Sequence, residues 1–309
     1  MWRCLLLLLA SVVAIATVRP AAQANQLFAF HSNPWLNLHH FVRASARGGP
    51  APSGLSEEEN KQWTAGVEFY KPYAARDLLM DDDMVDIKSA LRGAEGKTSL
   101  DGINIDAGLK ATLERLMPIY QKRWWAEHDR SNRAWIAAVQ PLLDRHATAI
   151  SLALTRTYDT TWPSDPVPVD LSVTAGPNGA YTSGPPIHVT ISSSDPNLQG
   201  LKSLEMLFHE SSHSPVSNLF QRVSQAASEQ QVTVPRQLWH GVLFYTAGEL
   251  TVRELRAHGT AYTPYAGDGL YTNLCGAGCR EKIAEHWTPR LDGKRSIADA
   301  LSSLVASFK

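Results

Sequence analysis

The sequence predicts an α+β fold, mostly helical, with a small mixed or antiparallel sheet set between two helical regions. Three observations predict it. Apolar residues recur at helical spacing from about residue 35 to 160, alternating runs follow between residues 167 and 194, and helical spacing then returns. No internal repeat or low-complexity segment interrupts this order.

The first 24 residues read as a leader. Arg3 precedes an apolar run from Leu5 to Val18, and Ala22-Gln23-Ala24 supplies a small-x-small cleavage pattern. Cleavage is expected near Ala24-Asn25, giving a secreted or periplasmic protein. The rest divides into a helical region, 25–163, and a second region, 164–309, that either stands alone or packs with the first as one compact domain.

In the helical region, "LSEEENKQW" offers Ser56 as a cap followed by acids in the first turn, which suit the positive end of a helix. Asp81 to Asp83 repeat this before Met84, Val85, Ile87 and Leu91; without alternating oxygen ligands the run reads as a solvated helix start, not a calcium loop. Ile119 to Tyr158 forms the longest helical pattern, with Trp124, Trp125, Trp135, Ile136, Val139, Leu142 and Leu143 on its apolar face and Pro141 expected to kink or divide it. Core packing is the expected role of these tryptophans, and His128 and Asp129 are expected to be structural or exposed.

After Trp162-Pro163 the pattern changes. Val167 to Ala175 alternates as a half-buried strand, and "GPNGAYTSGPP" reads as turns. Ile187 to Ser194 then sets Ile187, Val189 and Ile191 on one face and His188, Thr190 and Ser192 on the other. Helices follow over "LEMLFHESSH", over Arg236 to His258 and over Ser296 to Phe308. Cys275 and Cys279 fit a small disulfide loop in an oxidising compartment, with a pair of free thiols as the alternative.

Charge excludes some partners. Arg3 and Arg19 leave with the leader, so 27 basic residues face 30 acidic ones in the mature chain, a net charge of −3. No basic stripe points to nucleic acid or to an anionic membrane. No apolar run after the leader approaches the ~20 residues a membrane span needs.

The chemistry concentrates in His209-Glu210-x-x-His213. Residues four apart share a helix face, so His209 and His213 can offer two imidazoles to one cation. Glu210 lies about 100° around the helix from His209, beside the open position of such a cation, where a carboxylate can take a proton from water. Ser211 and Ser212 are small and do not obstruct it. Pro215 disfavours helical geometry at Ser214, so the helix is expected to end just after His213, leaving that histidine on its final turn.

With its motif helix followed by the "YTAGELTVREL" segment, the chain resembles the gluzincins, the thermolysin-like zinc metallopeptidases. A metzincin continuation is missing after His213. The resemblance covers roughly residues 165 to 275. It implies a zincin-like fold and one Zn2+ held by His209, His213 and Glu249, with Gly248 permitting close approach of the two helices. His240 and Glu254 are rival third ligands; His240 and Glu249, nine residues apart, lie half a turn out of phase. Arg253 stands where relatives place an acid or amide. The resemblance further implies an edge strand at Ile187 to Ser194 to which an extended peptide adds. It also implies an oxyanion donor downstream, among His258, Tyr262, Tyr265 and Tyr271, with Tyr265 favoured.

The expected function is a secreted zinc metallopeptidase, a hydrolase of peptides or proteins in which Glu210 activates water. Two other readings stand beside it: a non-catalytic zinc- or peptide-binding protein, and a helical interaction protein whose motif is fortuitous.

Overall fold

The earliest strand is short and its partner distant. β1 (Phe28–His31) pairs in parallel with β2 (Val167–Ser172), Phe28 opposite Val167, across the whole first helical region. In the computed structural model, residues 27–49, 53–79, 81–184, 187–213 and 216–309 are described. The segment read as a leader, with its expected cleavage position, and Ser214-Pro215 lie outside these residues.

Among the described residues, four α-helices separate β1 from the long fifth. α1 (Pro34–Ala46) starts at Asn33, whose side chain accepts hydrogen bonds from the amides of Trp35 and Leu36. α2 (Glu57–Ala75) starts at Ser56 with a complete capping box to Glu59, an arrangement worth about 1 kcal/mol. α3 (Asp82–Arg92) is capped by Asp81, which also pairs with Arg76, as a solvated acidic start should be. α4 (Ala107–Tyr120) leads through a π-helical turn at Gln121–Trp125 into α5 (Ala126–Tyr158). The irregularity in this stretch is the π-helical turn at Gln121–Trp125. Pro141 lies inside a continuous helix and does not divide it.

The sheet is mixed, in the order β1-β2-β4-β3, where β3 is Ala180–Ser183 and β4 is His188–Ser192. β2 and β4 run parallel, and β3 returns antiparallel to β4. The strand expected at the edge is therefore interior: β4 is paired on both sides. The edge facing the motif helix is β3, which comes from the stretch read as turns. An interior strand has no free backbone groups with which to hold an added peptide.

The motif helix is α6 (Leu201–Ser211), and every residue from Ser203 to Ser211 is buried. A helix covered on all sides is central to its domain. The chain enters it through Gly200 at φ 59°, a conformation that glycine adopts without the Cβ penalty of other residues. α6 packs on β3, β4, α5 and α8. The remaining helices are α7 (Leu219–Gln230), α8 (Leu238–Ala257), α9 (Asp268–Cys275), α10 (Cys279–Leu291) and α11 (Ile297–Ala306). The predicted disulfide is formed: Cys275 ends α9 and is bonded to Cys279 at the start of α10. Among the described residues, no helix is long and apolar enough to cross a membrane.

Among the described residues, two apolar cores result. One gathers α1–α4 with Ala175 and Tyr181; the other gathers α5, the sheet and α6–α11. Along the chain, α4 belongs to the first and α5 to the second.

Candidate metal centre

α6 and α8 build the centre between them. His209 sits in the last turn of α6, while His213 lies one residue beyond the helix cap Ser212. The helix thus ends slightly earlier than expected, and a turn holds His213 in place, its amide donating to the Glu210 carbonyl at 3.2 Å. The serines between them are buried and satisfied: Ser211 donates to the Leu207 carbonyl and Ser212 to that of Phe208.

The third member of the cluster is His240, from the first turn of α8. One ring nitrogen each of His209, His213 and His240 lies within 4.8 Å of the other two. Nε2 of His240 is 3.2 Å from Nε2 of His209. Aromatic rings fix the three imidazoles. Phe244, one turn after His240, stacks on His209 at 3.7 Å between centroids, and Trp239 meets His213 edge-on at 5.7 Å.

Glu249 is not in this group. Nine residues beyond His240, it projects from the other side of α8, and its nearest charged partner is Arg253 at 3.7 Å. Of His240 and Glu249, half a helical turn apart, it is the histidine that lies beside His209 and His213. Arg253 in turn pairs at 3.0 Å with Asp292, the residue that follows α10, so the position where an acid was expected serves an ion pair between α8 and the end of α10. Glu254, the other rival, faces His146 and His258.

Burial sets the protonation of the cluster. His209 titrates well below the ordinary histidine range, first because it is buried and then through His213 and His240. His213 is lowered to about 3 by burial and by His240, and His240 to about 4 by burial. Three neutral imidazoles pushed together present lone pairs with little else to satisfy them. This donor set suits a first-row divalent cation such as zinc. Among the described residues, the Nδ1 atom of His209 is buried without a hydrogen-bond partner.

Glu210 lies beside the cluster, with Oε2 3.8 Å from Nε2 of His213. Burial pushes its carboxyl up to about 7, against the opposing influence of Thr182 and Lys88. Thr182, on the edge strand β3, approaches both Oε2 and the backbone carbonyl of Glu210, at 2.6 and 2.8 Å. Sequence reading missed Thr182 because its stretch was taken as turns. It also missed Lys88, which is buried, donates to Ser183 at 2.9 Å and lies over the Tyr181 ring. A signal for Lys88 existed: it falls on the face of α3 that buries Met84, Ile87 and Leu91.

Tyr265 is reached through the same aromatic stack, its ring 6.1 Å from that of Phe244 and nearly parallel to it. Its loop is held by Glu205, one turn before His209 on α6. Glu205 accepts from the Tyr265 amide at 3.0 Å and from the Tyr262 hydroxyl at 2.6 Å. Gly248 allows this approach of α6 to α8, as its sequence position implied: a Cβ there would lie 3.3 Å from Oε1 of Glu205 and 3.0 Å from Pro264. Tyr271 is buried against the far side of α8, near Gly241.

No protein-family model, curated protein or solved structure matches the chain.

Proposed function

We propose that the chain is a secreted, zinc-dependent hydrolase acting on amide bonds of peptides, with a histidine where the gluzincins it resembles use glutamate. The observation that carries this reading is the convergence of His209, His213 and His240 beside the buried carboxyl of Glu210. A divalent ion held by the three imidazoles supplies Lewis acidity and lowers the pKa of water.

Glu210 is the general base in this reading. A carboxyl raised toward neutrality is matched to accepting a proton from water and returning it to a leaving amine. Thr182 orients it by donating to Oε2, the carboxylate oxygen that lies 3.8 Å from Nε2 of His213. Tyr265, carried on a loop tied to Glu205, is the proposed donor to the developing oxyanion. The neighbouring aromatic rings of Phe244 and Trp239 keep the imidazoles ordered.

The test is Glu210→Gln. Both proteins are loaded with zinc, counted for metal and incubated with a library of unstructured peptides. The variant is expected to keep the metal and lose hydrolysis by roughly 100-fold or more. Cleavage by the variant at the wild-type rate would remove Glu210 from the mechanism. A zinc-loaded wild type that cleaves nothing would favour a metal-binding protein without turnover.

A further inference from the structure

We propose a second divalent-cation site, formed by His146, Glu254 and His258 and separate from the histidine cluster. His146 belongs to α5, Glu254 to the last turn of α8, and His258 caps that helix. One Glu254 oxygen, Oε1, stands 3.0 Å from Nδ1 of His146 and 3.0 Å from Nε2 of His258. All three donor atoms lie within 4.8 Å of one another, and the imidazole rings are 5.0 Å apart.

Three features fit a cation. Ligands at about 2.0–2.2 Å from a tetrahedral ion are separated by roughly 3.4 Å, close to the spacing of this group. Glu254 and His258 are four residues apart on one helix, and His146 closes the group from a second helix packed against it. The site also lies at the C-terminal end of α8, where the partial negative charge of unpaired carbonyls favours a cation. Two imidazoles and a carboxylate suit zinc, nickel, copper or iron over calcium or magnesium.

The exposure of the group is graded. The side chain of His146 is 4 % exposed, Glu254 15 % and His258 49 %. Two ligands are held inside the fold while the third borders solvent, so water completes the coordination and metal enters from that side. An ion here clamps α5 to the end of α8, the helix whose other end carries His240. A carboxylate that only accepts hydrogen bonds from two imidazoles would show the same distances without metal, and the experiment separates the two.

The full chain is stripped with a chelator, loaded with zinc, dialysed and measured by elemental mass spectrometry. The expected count is two zinc per chain for wild type and one for His258→Ala, whose half-exposed side chain is removed without opening the core. A His209→Asn, His240→Asn double variant keeps one zinc, and added zinc raises its Tm. A His258→Ala count equal to wild type, or a double variant that binds none, would overturn the proposal. If the histidine cluster instead holds no zinc, wild type and the double variant both read one and His258→Ala reads zero. That pattern refutes the proposed function while leaving the second site standing.

Discussion

Nε2 of His240 lies 3.2 Å from Nε2 of His209, and α8 turns Glu249 to its opposite side. This pairing decides which downstream residue completes the centre. Replacing His240 with alanine is expected to weaken zinc binding at the cluster by roughly 100-fold or more, beyond the usual effect of losing an outer partner. Glu249→Ala is expected to leave zinc affinity unchanged. Competition with a chromophoric chelator reads both, in a His258→Ala background that isolates the cluster.

Part of this centre was legible in the sequence. Spacing alone put His209 and His213 on one helix face, where they could share a cation, set Glu210 beside them, and argued against His240 and Glu249 both facing the same point. Which of the two faces inward was not legible. α8 buries nearly everything from Gly241 to Thr251, so its apolar pattern runs all round and does not reveal a preferred face. β1 was missed for a different reason: it is four residues long, and its pairing with β2 spans about 140 residues, leaving no local signal. The edge was misplaced because β3 has the composition of a turn, while β4 shows the stronger alternation.

Gly248 is expected to be intolerant of a side chain. Alanine gains about 1 kcal/mol in helix propensity, but its Cβ would press on Pro264 and on Glu205. Overpacking of this kind costs about 1–3 kcal/mol, so Gly248→Ala should be net destabilised in urea titration. It should also loosen the loop of Tyr262 and Tyr265, read as faster amide exchange at Tyr265. An unchanged midpoint with unchanged exchange would show that α6 and α8 have room to separate.

Glu205 predicts a pH dependence. Its burial pushes the carboxyl up to about 7, outweighing the hydrogen bonds from Tyr262 and Tyr265, from an ordinary value of 4.5. Between these values the folded state holds a proton that the unfolded state has released. The stabilisation from this group is therefore complete below about 4.5 and lost as pH rises through about 7. Relative to wild type, Glu205→Gln should gain stability across this window, by on the order of 3 kcal/mol at most. Urea midpoints of both proteins measured from pH 4 to pH 8 read the difference, which cancels contributions from Glu210. A difference constant with pH would contradict the assignment.

Thr182 is expected to act through Glu210 and not on the metal. Thr182→Val removes the hydroxyl that engages Oε2 while keeping the shape of the side chain. Zinc affinity should be unchanged, and hydrolysis should fall by about 10-fold, the loss of one hydrogen bond to a charged group. The fall should be in kcat, with KM little altered. Loss of metal instead would place Thr182 in the support of the cluster.

The proposed chemistry requires a metal ion among His209, His213 and His240. Crystals of the full chain grown with zinc, with diffraction recorded on both sides of the zinc absorption edge, locate it directly. The predicted result is an anomalous peak enclosed by His209, His213 and His240, with Glu210 beside it and unbound. A peak bound by Glu249, or none among the three histidines, would contradict it.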